Sequence, residues 1–198
     1  MASVVVFDMG GVLYDFQGDQ LIAQTSRRAR RWRSEEVQRL WLPLVQRFET
    51  GACSEHEFGT KIVQAYDLTL DVPQFLHAFR AAAVGFYAGA LELVRELAEQ
   101  HRLVSLSNTN ALQWPEVLAA MGEGDPFYAH HPSHLSGFHK PDPRAFEAVV
   151  SAHAAEHDYY FFDDRPQNVA AAHQLGWRAE RVRGVQETRR ACVELGLC

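Results

Sequence analysis

Three runs in this chain are almost wholly apolar or β-branched and then stop abruptly at a hydroxyl or carboxylate residue. This pattern narrows the possible folds more than any other feature. Val4 to Phe7 ends at Asp8, Leu103 to Leu106 ends at Ser107, and Tyr159 to Phe162 ends at Asp163-Asp164. Such runs suit strands buried on both faces, as in a parallel sheet covered by helices. In open α/β sheets, ligands bind beyond the carboxyl ends of the strands, so these polar residues are expected to converge in one crevice. Lys140, within His139-Lys140-Pro141-Asp142-Pro143, brings positive charge to the crevice. The two prolines predict an extended backbone there, just before a helix.

The spaces between these runs fill in the architecture. Helices are predicted over Ala90 to Gln100, Ala111 to Met121, Asp142-Pro143 to about Ala154, and Pro166 to Leu175, with Gly176 closing the last. A short strand is expected over Phe127 to His131. Alternating strands and helices predict a parallel, doubly wound sheet. Between about Phe16 and Phe86 the pattern is helical with no strand-like alternation, which predicts a small all-helical cap inserted after the first strand. The expected division is residues 1–16 and 87–198 for the core and 17–86 for the cap. Within the cap, Ser54 with Glu57 is a capping-box signature, and Asp71 before Val72-Pro73 marks another helix start. A helix from about Ser34 groups Val37, Leu40, Trp41 and Leu44 on one face.

Composition excludes several classes. With 47% hydrophobic and 22% charged residues over 198 positions, the chain fits a globular protein rather than a disordered one. No apolar run is long enough for a membrane span. A formal net charge of −6 argues against general nucleic-acid binding. The chain opens on Met1-Ala2-Ser3 and a strand rather than a secretory signal. Cys53, Cys192 and Cys198 are scattered, which predicts reduced thiols and a cytoplasmic setting. The clustered histidines, His130, His131, His134 and His139, have no zinc-type spacing.

Taken in order, the four motifs resemble the haloacid dehalogenase superfamily of phosphohydrolases across essentially the whole chain. Gly10-Gly11-Val12-Leu13, Leu106-Ser107-Asn108-Thr109-Asn110, Lys140-Pro141-Asp142-Pro143 and Phe161-Phe162-Asp163-Asp164 are similar to the branch holding the phosphatase domain of soluble epoxide hydrolase and the bacterial α-D-glucose-1-phosphate phosphatases. The resemblance implies a Rossmann-like core and hydrolysis of a small phosphorylated metabolite, a sugar 1-phosphate being favoured. It implies Asp8 as the nucleophile forming an aspartyl phosphate. Ser107 and Asn108 would bind phosphate through the hydroxyl and backbone N–H groups at a helix entrance. Lys140 would neutralise both nucleophile and phosphoryl group. Mg²⁺ would be held by Asp8, the Gly10 carbonyl and Asp164, an oxygen-only set. Asp163 would hold a metal-bound water or orient Lys140.

Gly10 departs from the pattern, because most phosphatases of the superfamily have there an Asp that acts as general acid and base. An anomeric leaving group is a weak base and needs less protonation, which gives a chemical reason for tolerating the glycine. His139, His131 and Asp15 are the nearby alternatives, none of them assigned by sequence. Two competing readings remain at this stage: a catalytically weak relative that binds phosphate and metal, and a metal-free 2-haloacid dehalogenase. The acidic pair Asp163-Asp164 weakens the second. Arg27 to Arg33 reads as a solvated helix end more than an anion-attracting surface. Trp32, Trp41 and the cap phenylalanines read as cap core more than as a sugar platform. Asn110 and Asn168 read as caps or turn formers at least as readily as substrate contacts.

Overall fold

The computed structural model describes residues 3–27, 34–153 and 158–198. Five parallel strands form the main sheet: β1 (Val4–Phe7), β4 (Arg102–Ser107), β5 (Ala129–Pro132), β6 (Tyr159–Asp163) and β7 (Arg178–Arg181), in the order β5-β4-β1-β6-β7. β1 therefore lies in the middle, and Val4, Val5, Val6 and Phe7 are all fully buried. One face buries Val5, Phe7, Leu103, Tyr160 and Phe162 against helices α5 (Ala90–Ala98), α6 (Trp114–Met121) and α10 (Gly184–Glu194). The other buries Val4, Val6, Val104, Leu106, Tyr159 and Phe161 against α8 (Pro143–His153) and α9 (Pro166–Gln174). Since alternate side chains point to opposite faces, covering both faces requires the near-continuous apolar runs read from the sequence. The fold is thus α/β, a parallel sheet flanked by helices.

Register sets the positions of the strand ends. Phe7 pairs with Phe162 on one side and Ser105 on the other, so Asp8 and Asp163 emerge side by side at one edge. Placing two carboxylates together in a dry site is costly unless a cation joins them.

A separate helical layer carries its own core. It comprises α1 (Gly18–Thr25), α2 (Ser34–Glu49), α3 (Glu55–Tyr66) and α4 (Val72–Ala81). Phe48, Phe58, Ile62, Tyr66, Phe75 and Phe79 pack together there, and Leu112 joins them from the loop after β4. The Ser54 hydroxyl accepts from the Glu57 N–H, and Asp71 forms a reciprocal capping box with Gln74; each cap contributes about 1 kcal/mol. Trp41 meets the rings of Phe58, Tyr66 and Phe79 edge-on. The side chains of Val37 and Leu40, along with residues 28–33 and Trp32 among them, lie outside the described residues. Arg27 bonds Asp67 and the Leu68 carbonyl.

Several expectations need correction. The segment from Phe16 to Phe86 is not helical throughout: β3 (Ala83–Phe86) pairs antiparallel with β2 (Tyr14–Phe16), joining the two crossings into the helical layer. Four residues show no clear alternation, and the partner lies some seventy positions earlier, beyond any local window. The helix expected from Ala111 begins at Trp114, because the Asn110 side chain holds a turn by accepting from the N–H groups of Leu112 and Gln113. The strand expected over 127–131 sits at Ala129–Pro132. β7 and α10 were not anticipated. Arg178-Ala179-Glu180-Arg181 is a polar edge strand with one buried residue, so it lacks the apolar signature.

Candidate active site

Asp8 sits just past the central strand, its N–H bonded to the Phe162 carbonyl. Its Oδ1 accepts the Met9 N–H at 2.8 Å and lies 3.1 Å from Lys140 Nζ. Lys140, 1% exposed, donates at 2.8 Å to Asp163 Oδ2. Asp163 is more fully engaged: its two oxygens also accept from the Arg165 N–H and the Asn168 amide, and it is fully buried. Of the two roles left open for Asp163 by the sequence, the geometry shows direct contact with Lys140. Asn168 thus supports Asp163 from the first turn of α9. Asp164 is half-buried, and Gly11 makes its position possible. Gly11 has φ +75°, and a Cβ there would come within 3.1 Å of the Asp164 carboxylate.

Charge is unevenly balanced in this knot. Burial pushes the Asp8 pKa up to about 7; Lys140 pulls it down, while Asp163 and Asp164 push it further up. Burial and Asp163 likewise raise Asp164. Burial opposes charge on Lys140, but Asp163 and Asp8 outweigh it and raise its pKa. Asp8, Asp163 and Asp164 each offer an oxygen within 4.8 Å of the others, against one buried lysine, with the exposed Arg165 and Arg183 acting on Asp164 alone. That surplus of negative charge on hard oxygen donors fits a divalent cation such as Mg²⁺. Asp8 and Asp164 are the donors with coordination capacity left, because Asp163 is already spent on Lys140, Arg165 and Asn168.

Asn108 has a use that the sequence did not reveal. Its Oδ1 accepts the Lys140 N–H at 2.8 Å, and its Nδ2 donates to the Lys140 carbonyl at 3.0 Å and to His139 Nδ1 at 3.1 Å. The side chain therefore fixes the backbone that carries the lysine, a segment with a cis Lys140–Pro141 bond. Ser107 is buried at the end of β4. Neither residue stands at a helix entrance, since α6 starts only at Trp114.

A cavity of about 510 Å³ opens over Asp8, Gly10, Lys140 and Asp164. Its far side is formed by Phe16 and by Asp19, Trp41, Leu42, Val45, Gln46 and Glu49 of α1 and α2. Trp41 thus serves both as packing for the helical layer and as cavity wall. Phe16 has a specific place: a Cβ on Gly10 would stand 3.2 Å from its ring. A side chain at residue 10 would press on that ring, which would have to give by a few tenths of an ångström.

Of the three unassigned groups, His139 alone lines the cavity, and both its ring nitrogens are engaged. Nδ1 accepts from Asn108, so Nε2 carries the hydrogen and donates to Glu49 Oε2 at 2.8 Å. His131 pairs with His153 at 3.0 Å, and Asp15 accepts from Gln17. Glu49 had no sequence signal at all, being ninety residues from its partner. Its backbone carbonyl also accepts from Ser133 Oγ, pinning the end of α2 to the core.

A family model described as haloacid dehalogenase-like hydrolase matches residues 2–176. Among solved structures, a HAD family enzyme from Bacteroides thetaiotaomicron in complex with magnesium and inorganic phosphate is 23% identical, with TM-score 0.75 over 92% of this chain and 95% of that one. A predicted HAD-like family hydrolase from Porphyromonas gingivalis is 22% identical, with TM-score 0.76 over 98% of both chains. An L-2-haloacid dehalogenase from Xanthobacter autotrophicus is 21% identical, with TM-score 0.64 over 92% of this chain and 78% of that one. At these identities, the likeness is one of fold.

Proposed function

The chain belongs to the haloacid dehalogenase-like hydrolase family, and on that premise we propose that it is a Mg²⁺-dependent phosphomonoesterase of small metabolites, with sugar 1-phosphates the favoured class. The observation that carries this reading is the buried Asp8–Lys140–Asp163 knot with Asp164 beside it, three carboxylates against one lysine at the mouth of a cavity. A site for a phosphoryl group and a divalent cation needs that charge arrangement. Metal-free displacement of a halide has no use for the acidic pair.

In this reading, residues 1–16 and 87–198 form the catalytic core and 17–86 the cap. A carboxylate oxygen of Asp8 attacks phosphorus as the bond to the leaving oxygen breaks, giving an aspartyl phosphate that water then hydrolyses. Lys140 favours the ionised form of the attacking carboxylate and holds it in place, and its own position is set by Asp163 on one side and Asn108 on the other. Asn108 and Ser107, at the end of β4, complete the phosphate side of the site. Asp8, the Gly10 carbonyl and Asp164 would hold Mg²⁺, which would supply charge neutralisation for the phosphoryl group. Gly10 offers no acid, and the Phe16 ring crowds the place where one would stand. A leaving group that departs as a weak base suits such a wall, hence the preference for anomeric phosphates.

The test is phosphate release from a panel of sugar phosphates, with and without Mg²⁺, by the wild type and Asp8→Asn. The amide cannot accept the phosphoryl group, so turnover is expected to fall by several orders of magnitude while the fold survives. Near-wild-type hydrolysis by this variant, or haloacid turnover in excess chelator, would overturn the proposal.

A further inference from the structure

A chain of bonds runs from the Lys140 backbone through Asn108 and His139 to Glu49 of α2, and it ends at an unused oxygen on the cavity wall. Resting on the phosphatase reading and adding to it, we propose that Glu49 is a specificity-determining residue, whose Oε1 accepts a hydrogen bond from one hydroxyl of the leaving sugar. Asn108 fixes the polarity of the chain. Its Oδ1 accepts the Lys140 N–H and its Nδ2 donates to the Lys140 carbonyl, so turning the amide over would lose both bonds. The second Nδ2 hydrogen goes to His139 Nδ1, which leaves the ring hydrogen on Nε2 for Glu49 Oε2 at 2.8 Å. One carboxylate oxygen is thereby used. The other, Oε1, has no hydrogen-bond partner among the described residues, although the Glu49 side chain is only 17% exposed and lines the cavity. An oxygen so placed has given up much of its hydration without gaining a donor, and a ligand hydroxyl supplies one.

Helix stability does not account for this residue. Glu49 is the last residue of α2, where the negative end of the helix dipole disfavours a carboxylate. The core nevertheless fixes it from several directions. Its backbone carbonyl accepts from Ser133 Oγ, its side chain from His139, and two residues further on the chain passes so close that a Cβ at Gly51 would stand 2.9 Å from the His134 carbonyl oxygen. Little ordering is left to be done when a ligand arrives, which favours tight and selective recognition. The rest of the wall suits a sugar as well. Along the same face of α2, Trp41, Leu42 and Val45 are apolar, and Gln46 and Glu49 are polar. A sugar ring presents the matching pair of surfaces, a face of C–H groups and a rim of hydroxyls, and a few placed polar groups in an apolar wall are enough to fix its orientation.

A cycle between enzyme and substrate tests the assignment. In the presence of Mg²⁺, kcat/KM is measured for the hexose 1-phosphate that the wild type hydrolyses best, for its monodeoxy analogues, and for phenyl phosphate, an ester with no hydroxyl on its leaving group. Glu49→Gln keeps the side chain's length and, with its carbonyl towards His139, turns an amide donor to the place of Oε1. One deoxy analogue is expected to react ~10–100-fold more slowly than the parent sugar in the wild type, the usual worth of a hydrogen bond to a charged group. Glu49→Gln is expected to slow the parent by that same factor relative to phenyl phosphate, and to slow that one analogue no more than phenyl phosphate. The assignment is overturned, with the phosphatase reading left standing, if the variant slows sugar and phenyl phosphates equally, if every deoxy analogue keeps the parent's sensitivity to the variant, or if the wild type hydrolyses phenyl phosphate and no sugar phosphate. Hydrolysis that survives Asp8→Asn, or hydrolysis of no ester at all, overturns the phosphatase reading and this assignment with it.

Discussion

Asp163, buried behind the cavity, and Asp19, on its wall, are placed by different rules. Asp163 is fully buried and all its capacity is taken by Lys140, Asn168 and a backbone N–H; Asp19 is exposed on the first turn of α1. The same contrast runs through their neighbours. On the core side, polar groups sit at strand ends and are bonded to one another. On the helical side, Phe16, Trp41, Leu42 and Val45 offer surface, and Glu49 with its bond to His139 provides the polar link back to the core. The core side is preorganised for one chemistry, which is where electrostatic stabilisation is most effective.

Breaking the core side should cost most. Lys140→Ala leaves two carboxylates buried without their cation, a loss expected at about 3–5 kcal/mol of folding stability together with activity. Urea unfolding measures it, and a loss below about 1 kcal/mol would show that the knot is not the buried, mutually dependent unit described above.

The boundary between the two sides is the next place to press. If Phe16 and Gly10 together exclude a general acid, the wild type should hydrolyse a sugar 1-phosphate ~10²–10⁴-fold faster than the matched 6-phosphate, the usual worth of positioned acid catalysis. Gly10→Asp alone should not narrow that gap, since its Cβ meets the Phe16 ring at 3.2 Å. Gly10→Asp with Phe16→Ala should. Equal kcat/KM on both phosphates in the wild type would mean that another group already acts as the acid, and Glu49 and His139 are the ones at hand.

Within the core, Asp163 and Asp164 divide the work. Asp164→Asn is expected to raise the Mg²⁺ concentration needed for half-maximal activity by ~10–100-fold with little change in stability. Asp163→Asn should do the reverse, weakening the fold more than the metal response, because its oxygens are committed to Lys140 and Asn168. Identical metal titrations for both variants would erase the distinction.

The smallest effect is a pH slope. Asp8 has a folded-state pKa near 7, above its unfolded value of 3.8, so its contribution to stability is fully present below about pH 4 and is lost as pH rises through 7. In chelator, melting temperature should therefore fall across that window relative to Asp8→Asn, and Mg²⁺ should flatten the difference. A rise of the wild type relative to the variant over the same window would contradict the sign.

Parallel strands with both faces covered must be apolar along their length, so β1, β4 and β6 announced themselves, and the residues ending them marked the crevice. Asp8, Asp163 and Asp164 were legible for that reason, since the rule linking strand end to site is local; Lys140 was legible from the proline-flanked segment that carries it. β7 was not, because an edge strand with one buried residue carries no such pattern. The remainder depended on contacts across the fold. Phe16 packs beside Gly10, Glu49 reaches His139, and Asn108 turns its side chain to Lys140 rather than outward. Periodicity tells which face of an element is buried, and only the packed structure tells which partner that face meets.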